Sequence, residues 1–171
     1  MNETIAVGLH QPNGPVGLAG GRVAVLEEEG NHRCLQVIET DGKRREIWRS
    51  TGRPAGLAVD GDGCFWVAGG PENSLIRISP QGDAMQLIEG GPSGPFIFPH
   101  DVAFGPDGLL YMTDSGVRIS DLIEDGGIRP DFLEASYDGR VYQIDPVNGR
   151  VMRSLAIENP ETSIGDTDPS I

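Results

Sequence analysis

The sequence predicts an all-β protein, a β-propeller of about three four-stranded blades, and three observations carry the prediction. Pro54–Ala68 superimposes without a gap on Pro99–Thr113, each residue 45 positions later, and Gly21-Arg22-Val23-Ala24-Val25 is a degraded third copy 42 positions before Gly63. Each copy reads as strand, turn, strand, and a period of roughly 40–50 residues built from short strands marks a propeller. Leu75-Ile76-Arg77-Ile78-Ser79-Pro80 is echoed by Val141-Tyr142-Gln143-Ile144-Asp145-Pro146, so the later strands repeat as well. The 25 glycines and 13 prolines among 171 residues supply the tight turns that many short strands require.

Thr4-Ile5-Ala6-Val7-Gly8-Leu9 reads as a lone β-strand ahead of the first repeat. The first blade is expected over about residues 13–50, with strands at Val16–Leu18, Arg22–Leu26, Cys34–Glu39 and Glu46–Trp48. Within it, Glu27-Glu28-Glu29 reads as a solvated charge run entering a hairpin at Gly30-Asn31. The second blade is expected over 53–89, with strands at Gly56–Val59, Cys64–Ala68, Ser74–Ile78 and Ala84–Ile88. Gly90–Pro95 is a loop of breakers leading to a third blade over 98–157. An insertion at 114–138 separates the second and third strands of that blade, and Val117–Ile123 within it suits a short helix or an extra strand. A long insertion in one repeat is either a functional loop or a tolerated excursion. Residues 1–157 thus form the partial propeller domain, and polar, turn-rich 158–171 reads as an acidic flexible tail.

A net charge of −13 argues against nucleic acid as a partner, since phosphate recognition needs clustered Lys and Arg. The start shows no basic and apolar signal pattern, and no apolar run is long enough to cross a membrane. Cys34 and Cys64 lie in apolar strand patterns of separate repeats, so a reduced, buried pair is expected, as suits a cytoplasmic protein.

In a propeller the first strand of every blade lines the central channel, and residues at its start converge on one mouth. The two offsets align Asn13 with Ala55 and His100, and Gly14 with Gly56 and Asp101. Asp101 suits either a hard-oxygen metal ligand or base, or an aspartate bonding the next blade's amides. His100 suits a carbonyl-polarising or zinc-binding role, or a merely exposed side chain. Asp60, Asp62 and Asp107 lie in turn sequences and are expected to form turns, and Asp114 is expected to be structural. No nucleophile elbow, Walker loop, HExxH helix or zinc-spaced cysteine pair appears.

The stretch Phe98-Pro99-His100-Asp101-Val102-Ala103-Phe104-Gly105-Pro106-Asp107-Gly108-Leu109-Leu110-Tyr111-Met112-Thr113-Asp114 resembles the Pro-Asn-Asp…Pro-Asp-Gly…Tyr-Phe-Thr-Asp stretch of the senescence marker protein / gluconolactonase / luciferin-regenerating enzyme family. Asp138–Pro146 is similar to the family's following strand, and Asn13-Gly14-Pro15-Val16 to its opening Glu-Gly-Pro-Val motif. The resemblance implies a six-bladed ring that hydrolyses sugar or related lactones with one divalent cation, calcium before zinc, in the channel. It implies catalytic and metal roles for Asp101, a substrate-binding role for His100 where the family has Asn, and a metal role for Asn13 where it has Glu. It further implies that the remaining ligands lie on blades beyond these three. Three blades would leave a face exposed at each end. The chain is then part of a longer protein, or two chains pair as a homodimer to complete the ring. A lactonase present as an incomplete or inactive half and a non-catalytic ligand- or protein-binding module are both compatible with these residues.

Overall fold

A computed structural model describes residues 4–157. Three antiparallel four-stranded sheets follow one another along the chain as blades. Blade one comprises β1 (Pro12–Gly17), β2 (Val23–Glu29), β3 (His32–Ile38) and β4 (Arg44–Arg49). Blade two comprises β5 (Gly56–Val59), β6 (Phe65–Ala68), β7 (Leu75–Ile78) and β8 (Ala84–Ile88). After a small hairpin of β9 (Gly90–Gly91) and β10 (Gly94–Pro95), blade three opens with β11 (Pro99–Phe104) and β12 (Leu110–Asp114). An insertion then carries α1 (Ile119–Leu122) and a hairpin of β13 (Ile123–Glu124) and β14 (Gly127–Ile128). Blade three ends with β15 (Arg140–Ile144) and β16 (Val151–Ala156). Within each blade every strand pairs with the next, in order. No helix among the described residues is long and apolar enough to cross a membrane. Residues 158–171, expected as a tail, lie outside the described residues.

Period-2 alternation along the strands builds two inter-blade cores. Ala24, Leu26, Leu35, Val37 and Ile47 of blade one meet Leu57, Phe65, Val67, Ile76 and Ile78 of blade two. Ala58, Trp66, Ala68, Leu75 and Ile88 of blade two meet Val102, Leu110, Met112, Tyr142, Ile144 and Val151 of blade three. The repeat is visible in these contacts. Trp66, fully buried against blade three, is aligned with Tyr111, which is half-buried on that blade's free face. The inner strands pack side by side through glycine. A Cβ on Gly14 would lie 3.0 Å from Leu57 Cβ, and one on Gly56 would lie 2.5 Å from Asp101 Cα. These contacts hold the 42- and 45-residue alignment in three dimensions.

Three expectations are corrected. Thr4–Leu9 is not a strand. It lies across the outward face of blade one, where the Gly8 carbonyl accepts from Arg44 Nη1 at 3.0 Å and the His10 amide donates to Glu27 Oε1 at 2.6 Å. That face is therefore covered, so the described chain does not present a bare blade face at both ends. Glu27 in turn is not solvated but 1% exposed. Strand alternation points it at the covered face, where it also accepts from Gln36 and lies 3.6 Å from Cys34 Sγ. Glu28 is mostly buried beside Arg53, and only Glu29 behaves as the sequence suggested. Glu27→Ala is expected to lower stability by about 2 kcal/mol, because it removes the shared acceptor of the His10 amide and the Gln36 side chain and empties a buried position. Faster hydrogen exchange at the His10 amide would report the detachment, and unchanged exchange would contradict it.

Both cysteines are free and buried, as expected. Burial is the main influence that pushes each thiol above its ordinary pKa. Thiolate is the reactive form, so neither is expected to react with Ellman's reagent until the protein unfolds. Fast stoichiometric labelling of the native protein would refute that.

Candidate functional site at the mouth of the inner strands

The three inner strands begin at one mouth, and their register carries the candidate residues there. In β11 the pairing with β12 steps from Pro99–Asp114 to Asp101–Thr113, which leaves His100 as the extra residue of a bulge. In β1 the pairing with β2 slips between Asn13 and Val16. Bulges of this kind re-aim side chains at strand ends. His100 is exposed, and its ring meets Phe98 edge-on with centroids 6.4 Å apart. Asp101 is exposed as well. Its amide donates to Thr113 Oγ1 at 3.0 Å, and its Oδ1 accepts from the Val102 amide at 2.8 Å. Asn13 is half-buried and spends its Oδ1 on the Gly14 amide at 2.9 Å.

The position of Asp101 has a direct physical meaning. Gly14 and Gly56 occupy the equivalent places in blades one and two, and each makes room for the inner strand of the following blade. Asp101 takes that place on the free face of blade three, with Oδ2 unengaged among the described residues. A carboxylate there can act on a ligand at the mouth, or accept an amide of whatever packs against blade three.

Fit to a divalent cation is weak on this chain alone. Among the described residues no three His, Cys, Asp or Glu side chains come together as a metal site. Asn13 is neutral and already hydrogen-bonded, so Asn13 and Asp101 do not by themselves constitute a hard-cation cage, which takes six to eight oxygens.

Beside the mouth lies a feature that no sequence motif marks, a cleft of about 400 Å³ lined by Arg53, Asn73, Phe96, Phe98, Arg118 and Ile119. The Asp114 carboxylate shapes it. Asp114 is 3% exposed and accepts from the amides of Ile97 (2.8 Å), Phe98 (2.8 Å) and Gly116 (2.9 Å). One buried anion thus pins both the aromatic floor and the start of the insertion. That is the structural duty expected of it. Phe96 is buried with its ring tilted on Tyr142 at 4.9 Å, and the Arg53 guanidinium stands 5.8 Å over the Phe98 ring. Asp114→Ala is expected to cost about 3 kcal/mol, since three amides, two part-buried and that of Gly116 buried, lose their acceptor at once. Thermal melts with Asp114→Asn as a milder partner would measure it.

The turn aspartates behave as the sequence suggested, with additions. Asp60 Oδ1 accepts from the Asp62 and Cys64 amides, while Oδ2 takes Arg77 and Trp66 Nε1. Asp107 accepts from the Leu109 amide and the Tyr111 hydroxyl.

With this geometry in place, known proteins give the context. No family model matches the chain. The 6-deoxy-6-sulfogluconolactonase of Pseudomonas putida is 37% identical over 93 residues, 53% of this chain and 28% of that protein. A gluconolactonase from Xanthomonas campestris superimposes with a TM-score of 0.68 at 17% identity, over 91% of this chain and 50% of its own. Over those 93 residues the chain is similar in sequence to the sulfogluconolactonase, and its blades share the fold of the gluconolactonase. A virginiamycin B lyase from Staphylococcus aureus also superimposes, with a TM-score of 0.58 at 19% identity, over 86% of this chain and 42% of its own. The matched segment therefore spans about a quarter of the curated relative, and the chain covers half or less of these structural neighbours.

Proposed function

We propose that the chain contributes the mouth of a lactone-hydrolysing site in a gluconolactonase-like propeller. The observation that carries the proposal is Asp101, an exposed carboxylate at the start of the innermost strand of blade three, in a chain 37% identical over 93 residues to a sugar-type lactonase. In this reading Asp101 takes a proton from water as the water oxygen bonds to the lactone carbonyl carbon. The ring C–O bond then breaks, and the proton passes to the departing alkoxide. His100, on its bulge, contacts the sugar hydroxyls. The divalent cation implied by family resemblance, calcium before zinc, needs donors beyond Asn13 and Asp101.

The alternative, a non-catalytic ligand- or protein-binding module, is favoured by one observation. Asp101 replaces the glycine that seats the next blade in both earlier repeats. The test is hydrolysis of aldonolactones with and without calcium or zinc, for the wild type and for Asp101→Ala. Loss of general-base catalysis is expected to lower the rate by about 100-fold or more. A wild-type chain that accelerates nothing leaves the binding module as the reading, and a variant as active as an active wild type removes Asp101 from the catalysis.

A further inference from the structure

We infer that the cleft beside the mouth recognises a terminal oxyanion on a small, carbon-skeleton ligand. The inference rests on the lactone reading only for the rest of that ligand. Four features of the cleft carry it. First, two arginines line one space of about 400 Å³, although the chain as a whole carries a net charge of −13. Arg118 is exposed and has no ion pair among the described residues. Arg53 is only partly satisfied, since its Nε stands 3.5 Å from Glu28 Oε2, at the long end of an ion pair. Guanidinium forks suit carboxylate, sulfonate and phosphate geometry.

Second, the floor is apolar and rigid. Phe96 and Phe98 belong to the segment that Asp114 clamps through backbone amides, so the aromatic surface exists before any ligand arrives. A ligand with a short carbon skeleton can lie on it while its charged end meets the arginines, and a cleft of this volume suits a small organic molecule. Third, Asn73 lines the same space from a turn in which both it and Glu72 adopt left-handed backbone, with φ of 58° and 50°. Adjacent non-glycine residues held there are uncommon and cost energy, and such strain clusters at ligand clamps. The amide of Asn73 offers donors to an oxyanion or to hydroxyls. Fourth, Phe98 also touches His100, so the cleft opens beside the mouth rather than at a remote face. A ligand whose reactive end sits at His100 and Asp101 would extend its far end into the cleft.

The insertion supplies Arg118, and this is the property that separates blade three from its two shorter repeats. Two acidic groups, Glu28 at 3.5 Å from Arg53 Nε and Asp121 three residues after Arg118 in the chain, temper the site without filling it.

Isothermal titration of the whole chain tests the inference without reference to turnover. The probes are gluconate, 6-phosphogluconate, glucarate and inorganic phosphate. We expect 6-phosphogluconate and glucarate to bind at least about tenfold tighter than gluconate, the worth of one charge-assisted hydrogen bond. The gain should shrink in high salt and disappear in Arg118→Gln, whose exposed side chain leaves the melting temperature unchanged. Equal affinity for all three sugar acids, or a preference kept in Arg118→Gln, overturns the inference. Inorganic phosphate binding as tightly as 6-phosphogluconate overturns it too, by showing a bare anion site. Oxyanion selectivity without lactone hydrolysis supports the cleft and sinks only the lactonase reading. Hydrolysis without selectivity does the reverse.

Discussion

Gly56→Ala is expected to separate blade three from blade two at a cost of about 3 kcal/mol, the upper range of overpacking substitutions. The cause is steric. A methyl group at this position would stand 2.5 Å from Asp101 Cα and 2.8 Å from the Val102 amide nitrogen. Both are backbone atoms, so no side-chain rotation relieves the clash, and β11 itself must move. Moving β11 loosens Val102 and the core that joins Trp66 to Met112 and Tyr142. It also shifts Asp101 and His100, so stability and any activity at the mouth should fall together. Urea denaturation would measure the first. Gly61→Ala is the matched control, because a Cβ there meets nothing within 4 Å. A Gly56 variant that unfolds at the same urea concentration as the control would show that the inner strands are not packed this closely.

Asp60→Ala should cost about 3 kcal/mol, as expected when one member of a largely buried ion pair is removed. Asp60 and Arg77 meet at 2.6 Å with side chains 12% and 20% exposed. Deleting the carboxylate also strands Trp66 Nε1 and two turn amides, and leaves Arg77 only the exposed Asp62. The same pair sets a pH dependence. Burial opposes ionisation of Asp60, but the bonds from Arg77, Cys64 and Trp66 outweigh it and hold its pKa below the ordinary carboxylate value. A depressed carboxylate gives stability that is full above the unfolded value of about 3.9 and is lost as pH falls through the folded value. Wild type should therefore lose stability below about pH 4 more steeply than Asp60→Asn, whose curve lacks this contribution. Parallel stability curves for the two would refute the assignment.

Local signals explain why most of the fold was legible. Gly56–Val59 and Ala84–Ile88 have the bounds that the sequence suggests, because Pro54 precedes and Asp60-Gly61 follows the first, while Gly82-Asp83 precedes and Gly90-Gly91 closes off the second. In blade one β2 and β3 run further toward their shared turn than the sequence suggests, since Glu28, Glu29 and His32 look like turn residues. Their polarity is tolerated because one face of that hairpin end is solvent and the other is covered by His10, whose ring stacks on His32 at 3.9 Å. Thr4–Leu9 alternates like a strand, yet a strand requires a partner edge, and alternation cannot report whether one is present. The candidate residues were legible by position, as the repeat offsets bring Asn13 and His100 to equivalent places. The cleft was not. Arg53, Asn73 and Arg118 lie far apart in the chain and share no motif, although Arg118 sits in the insertion that the repeat singled out.

By itself the sequence determined the all-β character, the blade repeat, the reduced cysteines and the position of Asp101 at the start of an inner strand. These follow from period-2 patterning, turn chemistry and a countable offset, all of them local along the chain. Only the tertiary structure decided that Glu27 is buried, that residues 4–11 cover blade one, that Asp101 stands where glycine seats the next blade, and that two arginines share an aromatic-floored cleft. Those outcomes depend on which faces meet across blades, and contacts between distant segments are set by packing rather than by any pattern within one of them.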